Sequence, residues 1–396
     1  MKVRFLKDTN IRLSPTDLDL DPIGSIFKGV EIEIEPEPVF GMAIEGNAVW
    51  YKDQKGWFYW SGGMDILEEG AASAVNLSDV NPINTPITSA IQRLISSQEE
   101  TPWAADQLEL ATHFGEEGIT GKGVKIALLD TGIDHEHPDL EGLVTAFKDF
   151  SVSNVQSDMD LDGNGTHCAG IIVGQGKSSV RGIAPEAELM VGKIMAHRNM
   201  IDFDSLLAGI KWAYQMDADI VFTTASINER HLNPSQLSAL DQLLETFTGL
   251  GVIFVAPVGD SFSAELENNL PASSPLCLSV GAYNSRYERF FTSAKSDFLD
   301  VLAPGEFLLT AGIIDDHDYF SGTAAAASVV CGTLALIKQM VKEKGIALST
   351  EQLLGMVKET AREKPETLKC QDVEYGCGFF DAKAIFSRLK EAAQKK

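Results

Sequence analysis

Apolar runs and helical segments alternate along most of this chain. Strand-like apolar runs occupy residues 124–129, 189–194, 220–222 and 252–255, and residues 203–216 have the apolar spacing of a helix. Strands that alternate with helices in this way are typical of a parallel sheet with helices packed on both faces. We therefore predict a doubly wound α/β domain over residues 102–396, with functional groups beyond the carboxyl ends of its strands.

The first 63 residues show a different pattern, of short strands separated by turns. Residues 30–34 alternate apolar and acidic side chains, and the aromatic runs 49–51 and 57–60 flank a polar segment, which predicts a hairpin. Together with residues 10–15, these runs resemble a bacterial Src-homology-3-type small β-barrel. The resemblance implies a peptide-binding groove, lined by Trp50, Tyr51, Trp57 and Trp60. A barrel this small also needs the same side chains to fill its core, so both roles remain open.

Residues 64–101 separate these two regions and are rich in Gly, Ala, Ser, Asn and Thr. One amphipathic stretch, at residues 87–94, interrupts this composition. We predict a linker that contains a short helix.

Charge and hydropathy limit the classes of partner. The formal net charge of −25 would repel phosphates, so the electrostatic footprint of a nucleic-acid-binding protein is missing. The first residues lack the apolar run of a secretory signal, and no later segment is predicted to span a membrane. We therefore expect a cytoplasmic protein without nucleic-acid or membrane partners; export would require a leader that precedes these residues.

The five cysteines do not have the spacing of a disulfide framework, and their number is odd. Cys370 and Cys377 could pair across a loop. The sequence otherwise favours free, buried thiols, as in a reducing compartment.

Three motif blocks contain the residues expected to take part in chemistry. Asp130-Thr131-Gly132-Ile133-Asp134 follows an apolar strand, Asp160-Leu161-Asp162-Gly163-Asn164-Gly165-Thr166-His167-Cys168-Ala169-Gly170 opens a helix, and Phe320-Ser321-Gly322-Thr323-Ala324 forms a turn into another helix. In this order the blocks resemble the subtilisin family, and the resemblance covers nearly all of residues 102–390. It implies a serine endopeptidase fold that needs no cofactor, in which Asp130 orients the general base His167.

Two departures from the family pattern affect catalysis directly. Position 324 should supply the nucleophilic serine, but Ala324 has only a methyl group and cannot form an acyl-enzyme. Asp260 stands where the family has an asparagine that donates a hydrogen bond to the developing oxyanion. An ionised Asp260 offers acceptors only and adds negative charge at the point where negative charge must grow.

Two further departures are structural. Thr224, Ala225 and Ser226 replace the family's Ser-Leu-Gly edge, so their side chains could fill space used by a substrate backbone. Ser328 stands where the family has proline.

An acidic run, Asp158, Asp160, Asp162 and Gly163, begins like a calcium loop. Ala169 replaces the glutamate that such a loop needs at its twelfth position, and His167 falls inside the span. We therefore predict a solvated acidic loop and no metal.

Two main functions remain open at this point, beside a third in which the small barrel is the working part and the large domain a scaffold. The first is a pseudoprotease that binds a peptide or protein partner in the cleft without cutting it, because several departures lie in one cleft. The second is an active intracellular serine endopeptidase in which Ala324 was engineered in place of serine.

Overall fold

The computed structural model describes residues 103–151, 159–196, 201–260, 268–313, 317–362 and 372–394 in full, and the backbone of eight short strands within residues 2–68. The chain divides into two compact units, Met1–Ile95 and Ser96–Lys396. The domain limits at residues 63 and 102 remain predictions, and the proposed linker helix lies outside the described residues.

The described residues of the first unit form eight short strands. They are β1 (Lys2–Phe5), β2 (Thr9–Ile11), β3 (Gly24–Ile26), β4 (Glu31–Glu33), β5 (Val39–Ile44), β6 (Asn47–Lys52), β7 (Phe58–Trp60) and β8 (Met64–Glu68). They form three small antiparallel sheets, in the orders β4-β1-β8, β2-β3 and β5-β6-β7. The predicted hairpin is confirmed, because β6 pairs with β7 and Trp50 lies opposite Trp60. The barrel itself remains a prediction.

The second unit is built on a seven-stranded parallel sheet. Its strands are β9 (Lys125–Asp130), β10 (Val144–Asp149), β11 (Glu188–Lys193), β12 (Ile220–Thr223), β14 (Ile253–Pro257), β16 (Cys277–Tyr283) and β17 (Val301–Pro304). Their order is β10-β11-β9-β12-β14-β16-β17, with every neighbouring pair parallel. Two antiparallel pairs lie outside this sheet: β13 (Ile227–Asn228) with β15 (Asn269–Leu270), and β18 (Leu308–Thr310) with β19 (Asp318–Phe320).

Helices pack on both faces of the sheet, as predicted. The α-helices are Trp103–Gln107, Leu110–His113, Asn164–Val173, Phe203–Gln215, Pro234–Gly249, Thr323–Glu343, Thr350–Thr360 and Ala382–Gln394, with 3₁₀ turns at Gly115–Glu117 and Glu229–His231. Alternate residues of β9 belong to different apolar clusters: Ile126 and Leu128 to one, Ala127 and Leu129 to the other. Both faces of this strand are therefore covered, which explains its continuous apolar sequence.

The helix Thr323–Glu343, here called the central helix, is the main element of the larger cluster. Among the described residues, it is the one helix long and apolar enough to cross a membrane by length and composition. The prediction that no later segment has this character was therefore wrong. Because 83% of the relevant stretch is buried inside the protein, its apolar surface is already used in the core.

The cysteines follow the prediction in part. Cys168, Cys277 and Cys331 are free and buried, as expected. Cys377, by contrast, is in a disulfide, so the expectation of a free thiol was wrong there. Cys370 lies outside the described residues.

A buried glutamine fastens the central helix to the segment that precedes β9. Gln339 is 3% exposed, and its Oε1 accepts hydrogen bonds from the backbone N–H groups of Thr120 at 2.8 Å, Gly121 at 2.7 Å and Lys122 at 3.1 Å. One side-chain oxygen therefore satisfies three successive backbone donors.

We expect Gln339→Met to lower the free energy of unfolding by about 2–3 kcal/mol, because buried donors left without an acceptor keep their desolvation cost. Urea denaturation of the two proteins measures this difference. The matched control is Gln242→Met at an exposed helix position, where a change within about 0.5 kcal/mol is expected. Equal effects at the two positions would contradict this role of Gln339.

Candidate functional site

Polar side chains from several elements gather at the carboxyl edge of the sheet. Asp130 is the last residue of β9, Thr224 directly follows β12, and Asn164 is the first residue of the helix Asn164–Val173. Since β9 and β12 are parallel neighbours, their carboxyl ends open on the same edge. The site therefore lies where the topology of a doubly wound sheet places functional groups.

The Asp130 carboxylate is fully buried and accepts three hydrogen bonds. Its Oδ1 accepts from the Thr131 N–H at 2.8 Å and from Asn164 Nδ2 at 3.0 Å. Its Oδ2 accepts from Thr224 Oγ1 at 2.6 Å. Asn164 Nδ2 also donates to Thr224 Oγ1 at 2.8 Å, so three side chains form a closed network.

This network lacks a positive charge to compensate the carboxylate, because all three donors are neutral. Burial raises the pKa of Asp130 to about 6, and the hydrogen bonds only partly offset that effect. The nearby Asp160 carboxylate raises the pKa of Asp130 further.

Glycine brings the Asn164 end of its helix against the β9 turn. A Cβ on Gly165 would lie 2.1 Å from the backbone oxygen of Gly132, a separation that no other residue type could accept. The Gly165 N–H also donates to Thr131 Oγ1 at 3.0 Å. This close approach brings Asn164 within hydrogen-bonding distance of Asp130.

Asp160 caps the same helix. Its Oδ1 accepts from the Gly163 N–H at 2.8 Å, and its Oδ2 accepts from the Thr166 N–H at 2.9 Å. Burial raises the pKa of Asp160, but these bonds outweigh it and hold the pKa below the ordinary value. The interpretation of the acidic run as solvated was wrong at Asp160, which is 3% exposed.

The rest of the acidic run does not form a metal site in the part of the chain that is described. Asp158 lies outside the described residues, and Asp162 is half-buried. Within the described ranges, no group of three His, Cys, Asp or Glu side chains is arranged to hold a metal ion.

His167, predicted as the general base, is not hydrogen-bonded to Asp130. Its Nε2 lies 3.3 Å from Asp318 Oδ2 on β19, and its ring packs against Phe320 at a centroid separation of 4.9 Å. Its Nδ1, the other ring nitrogen, is buried without a hydrogen-bond partner. Burial raises the pKa of Asp318, but the hydrogen bond and charge of His167 lower it overall.

The residue that the structure does bring to Asp130, Asn164, was missed in the sequence. His167 was predicted as the general base because it is the only histidine in its motif block. The position of Asn164 in the helix could have identified it. Asn164 is the first residue of the helix and His167 lies three residues later, so Asn164 is the residue next to the end of β9.

Asp260 and Ala324 both lie at the start of the central helix. The Asp260 Oδ2 accepts from the Thr323 N–H at 3.0 Å and from Thr323 Oγ1 at 2.8 Å, and its Oδ1 accepts from Thr292 Oγ1 at 2.6 Å. Ala324, one residue further along the helix, is partly buried against the larger apolar cluster. A negative charge at a helix N-terminus is stabilised by the helix dipole.

Gly322 makes room for this carboxylate. Its φ is +117°, and a Cβ at this position would lie 2.9 Å from Asp260 Oδ2. The turn before the central helix is therefore shaped around Asp260.

The three residues of the predicted substrate edge lie in different environments. Thr224 is engaged with Asp130 and Asn164, Ala225 is buried, and Ser226 is exposed. The Ala225 N–H donates to Thr223 Oγ1 at 3.1 Å. Ser328, the other structural departure, is buried, and its hydroxyl donates to the Ala324 backbone oxygen at 2.9 Å.

Taken together, these groups can bind but are poorly suited to move a proton. An amide such as that of Asn164 donates through Nδ2 and accepts through Oδ1, but it does not take up a proton near neutral pH. The helix start beside Ala324 is occupied by the carboxylate of Asp260.

Residues 121–379 match the family model described as "Peptidase_S8: Subtilase family". The chain belongs to this family. Its subtilisin-like serine protease fold is therefore established by sequence as well as by topology.

Two curated relatives and one solved structure illustrate the similarity. The "Intracellular serine protease" of Paenibacillus polymyxa is 31% identical over 56% of this chain and 68% of its own length. "Subtilisin Savinase" of Lederbergia lenta is 31% identical over 72% of this chain and 98% of its own length. The solved structure of the prenylagaramide maturation protease PagA superimposes with a TM-score of 0.60 at 23% identity, covering 71% of this chain and 98% of that one. At this identity the structural match supports the fold alone.

We expect the stability of Asp130→Asn relative to the parent to be greater at pH 7.5 than at pH 4.5. Since the pKa of Asp130 is raised to about 6 in the folded state and is about 3.9 in an unfolded chain, ionisation of Asp130 costs up to about 3 kcal/mol of stability. This cost is fully present above pH 6 and disappears as the pH falls towards 4. Urea denaturation at pH 7.5, 6 and 4.5 should show the stability of the variant relative to the parent decreasing as the pH falls.

The matched control is Asp160→Asn, for which the sign is opposite. The folded-state pKa of Asp160 is lowered, so its ionised form stabilises the protein above the unfolded pKa and this contribution is lost in acid. The control variant should be less stable than the parent at pH 7.5. A relative stability of Asp130→Asn that does not change with pH would contradict the assignment.

Proposed function

We propose that this chain is a subtilase-fold pseudoprotease, which binds a peptide or protein partner in its cleft and does not cleave it. One observation supports this most strongly: the buried Asp130 carboxylate is hydrogen-bonded by Asn164 and Thr224, and by no imidazole of the described residues. Peptide binding in a cleft is the general property of subtilisin-like proteases.

Acyl transfer by a serine protease needs three linked parts. A carboxylate orients an imidazole, and the imidazole removes the proton of a nucleophile. In this chain Asp130 is present, Asn164 takes the hydrogen-bonding place of the imidazole, and Ala324 takes the place of the nucleophile. We therefore assign the position of the lost general base to Asn164 and propose that His167 has a structural role with Asp318.

Asp260 removes a further part of the mechanism. Its carboxylate accepts the Thr323 N–H at the start of the central helix, next to position 324. Because the oxyanion of a tetrahedral intermediate needs donors at this point, a carboxylate there disfavours the intermediate. The bonds from Thr292 and Thr323 show that Asp260 is well accommodated in its place.

An active endopeptidase with an engineered Ala324 fits these contacts less well. One serine-to-alanine change would account for position 324 only. The engineered change would not explain why Asn164 pairs with Asp130 or why a carboxylate stands at position 260.

Two further expectations belong to the proposal. A cytoplasmic location is consistent with one relative being named an intracellular protease. A peptide-binding small barrel at residues 1–63 would supply a second point of contact for the partner.

The proposal can be tested by restoring the missing catalytic residues and measuring activity. In subtilisin, removing the serine or the histidine alone lowers turnover about a million-fold, so restoring one residue should not restore activity. We expect no fluorophosphonate labelling or peptide hydrolysis by the parent protein or by Ala324→Ser. The triple variant Asn164→His, Asp260→Asn, Ala324→Ser should acquire measurable labelling.

Two controls define the outcome. If His167 has a structural role, adding His167→Gln to the triple variant should leave labelling in place. If labelling is lost while circular dichroism shows an intact fold, His167 is the general base instead. Robust turnover by Ala324→Ser alone would contradict the pseudoprotease proposal and favour the engineered endopeptidase.

A further inference from the structure

Two large aromatic side chains are exposed beside the start of the central helix. Phe307 and Tyr319 are each 44% exposed. Tyr319 lies on β19 opposite Leu309, and Phe307 directly precedes β18. The Phe307 N–H donates to Ser321 Oγ at 2.8 Å, which places it next to the turn that leads to Ala324. We call Phe307 and Tyr319 the aromatic surface.

The backbone at Phe307 is strained. Its φ is +49°, in the left-handed region that disfavours any residue with a Cβ, and a bulky residue there is an outlier. The hydrogen bond to Ser321 Oγ and a bond from Trp103 Nε1 to the Glu306 backbone oxygen, at 2.8 Å, hold the segment in place. Strain held in this way is found at ligand-binding segments, and at 44% exposure Phe307 gains little packing that would offset it.

The charges around the aromatic surface are mainly negative. Asp318, next to Tyr319, is half-exposed, and the exposed Asp260 lies at the turn before Ala324. Glu306 precedes Phe307, and burial raises the pKa of its carboxyl above the ordinary value. Arg286 also acts on Glu306 but is itself paired with Glu288 at 3.1 Å. The chain as a whole has a formal net charge of −25.

We propose that the aromatic surface binds a cationic peptide segment of the partner, so that arginine side chains stack on Phe307 and Tyr319 and pair with the adjacent carboxylates. A planar guanidinium combines stacking on an aromatic ring with directional bonds to carboxylates. The charge complementarity selects this occupant over an acidic or neutral segment. This inference rests on the proposed function, because it names the class of partner that the cleft receives.

The first experiment compares three fluorescein-labelled decapeptides that differ only at three positions, filled by Arg, Gln or Glu. Anisotropy titrations with the full-length protein at low salt should give about tenfold tighter binding for the Arg peptide than for the Gln peptide. The Glu peptide should not bind. Raising the salt to about 0.5 M should weaken the Arg peptide most. Equal affinities for the three peptides, or a preference for Glu, would overturn the proposal.

The second experiment separates binding from folding. Phe307→Gly removes the ring and also relieves the strain, because glycine accepts a positive φ. We expect the melting temperature to stay the same or rise, while affinity for the Arg peptide falls about tenfold. Tyr319→Ala should weaken the same peptide, and Asp318→Asn should reduce its preference over the Gln peptide.

Leu250→Ala is the matched control, because Leu250 is also apolar and is 61% exposed but lies at the end of a different helix. It should leave peptide affinity unchanged. Unchanged affinity in both Phe307→Gly and Tyr319→Ala, or equal losses in Leu250→Ala, would overturn the role of the aromatic surface.

Mass spectrometry of the peptides after each titration keeps the two proposals apart. Cleaved peptide would contradict the pseudoprotease proposal. Intact peptide that binds without charge preference would contradict the proposed role of the aromatic surface and leave the pseudoprotease proposal in place.

Discussion

A buried carboxylate without a cationic partner organises the candidate site of this subtilase-family chain. Asp130 ties the end of β9 to β12 through Thr224 and to the following helix through Asn164. Burying an ion is costly unless every oxygen is well bonded, so the elements that supply its donors must keep fixed positions. The geometry of the candidate site is therefore maintained by a network of neutral donors.

A second carboxylate has the corresponding role at the central helix. Asp260 accepts from the first N–H of that helix, and Gly322 leaves the space it needs. The two carboxylates act differently on stability, because Asp260 is exposed and favourably placed at a helix N-terminus, whereas Asp130 is buried among neutral groups. Both carboxylates thus hold fixed positions at the carboxyl edge of the sheet, one through a buried network of neutral donors and one through the start of the central helix.

The sequence predicts the fold well where burial makes the pattern simple. The strands β9, β12 and β14 are buried on both faces and appear as continuous apolar runs. The edge strand β10 was missed because its residues are half-buried or exposed, and β16 was missed although it is fully buried, because small and polar residues such as Ser279 and Gly281 interrupt its apolar pattern.

The site was predicted less completely, for a reason of geometry. Asp130, Asp260 and Ala324 were predicted from the resemblance of their motifs to those of the subtilisin family. The pairing of Asp130 with Asn164 depends on the approach of Gly165 to the Gly132 oxygen, and spacing along the sequence does not report how close two backbones come. Thr224 was assigned to the substrate edge for the same reason, since the direction of a hydroxyl is fixed only by the register of β12 against β9.

The burial of the central helix has a consequence for biosynthesis. Its apolar residues complete the cluster begun by β9 some two hundred positions earlier, and Gln339 fastens it to Gly121 across a separation of 218 residues. Contacts so distant in sequence make folding slow, and the early strands remain without their cover until the ribosome has released the central helix. A nascent chain in that state exposes apolar surface, which favours aggregation.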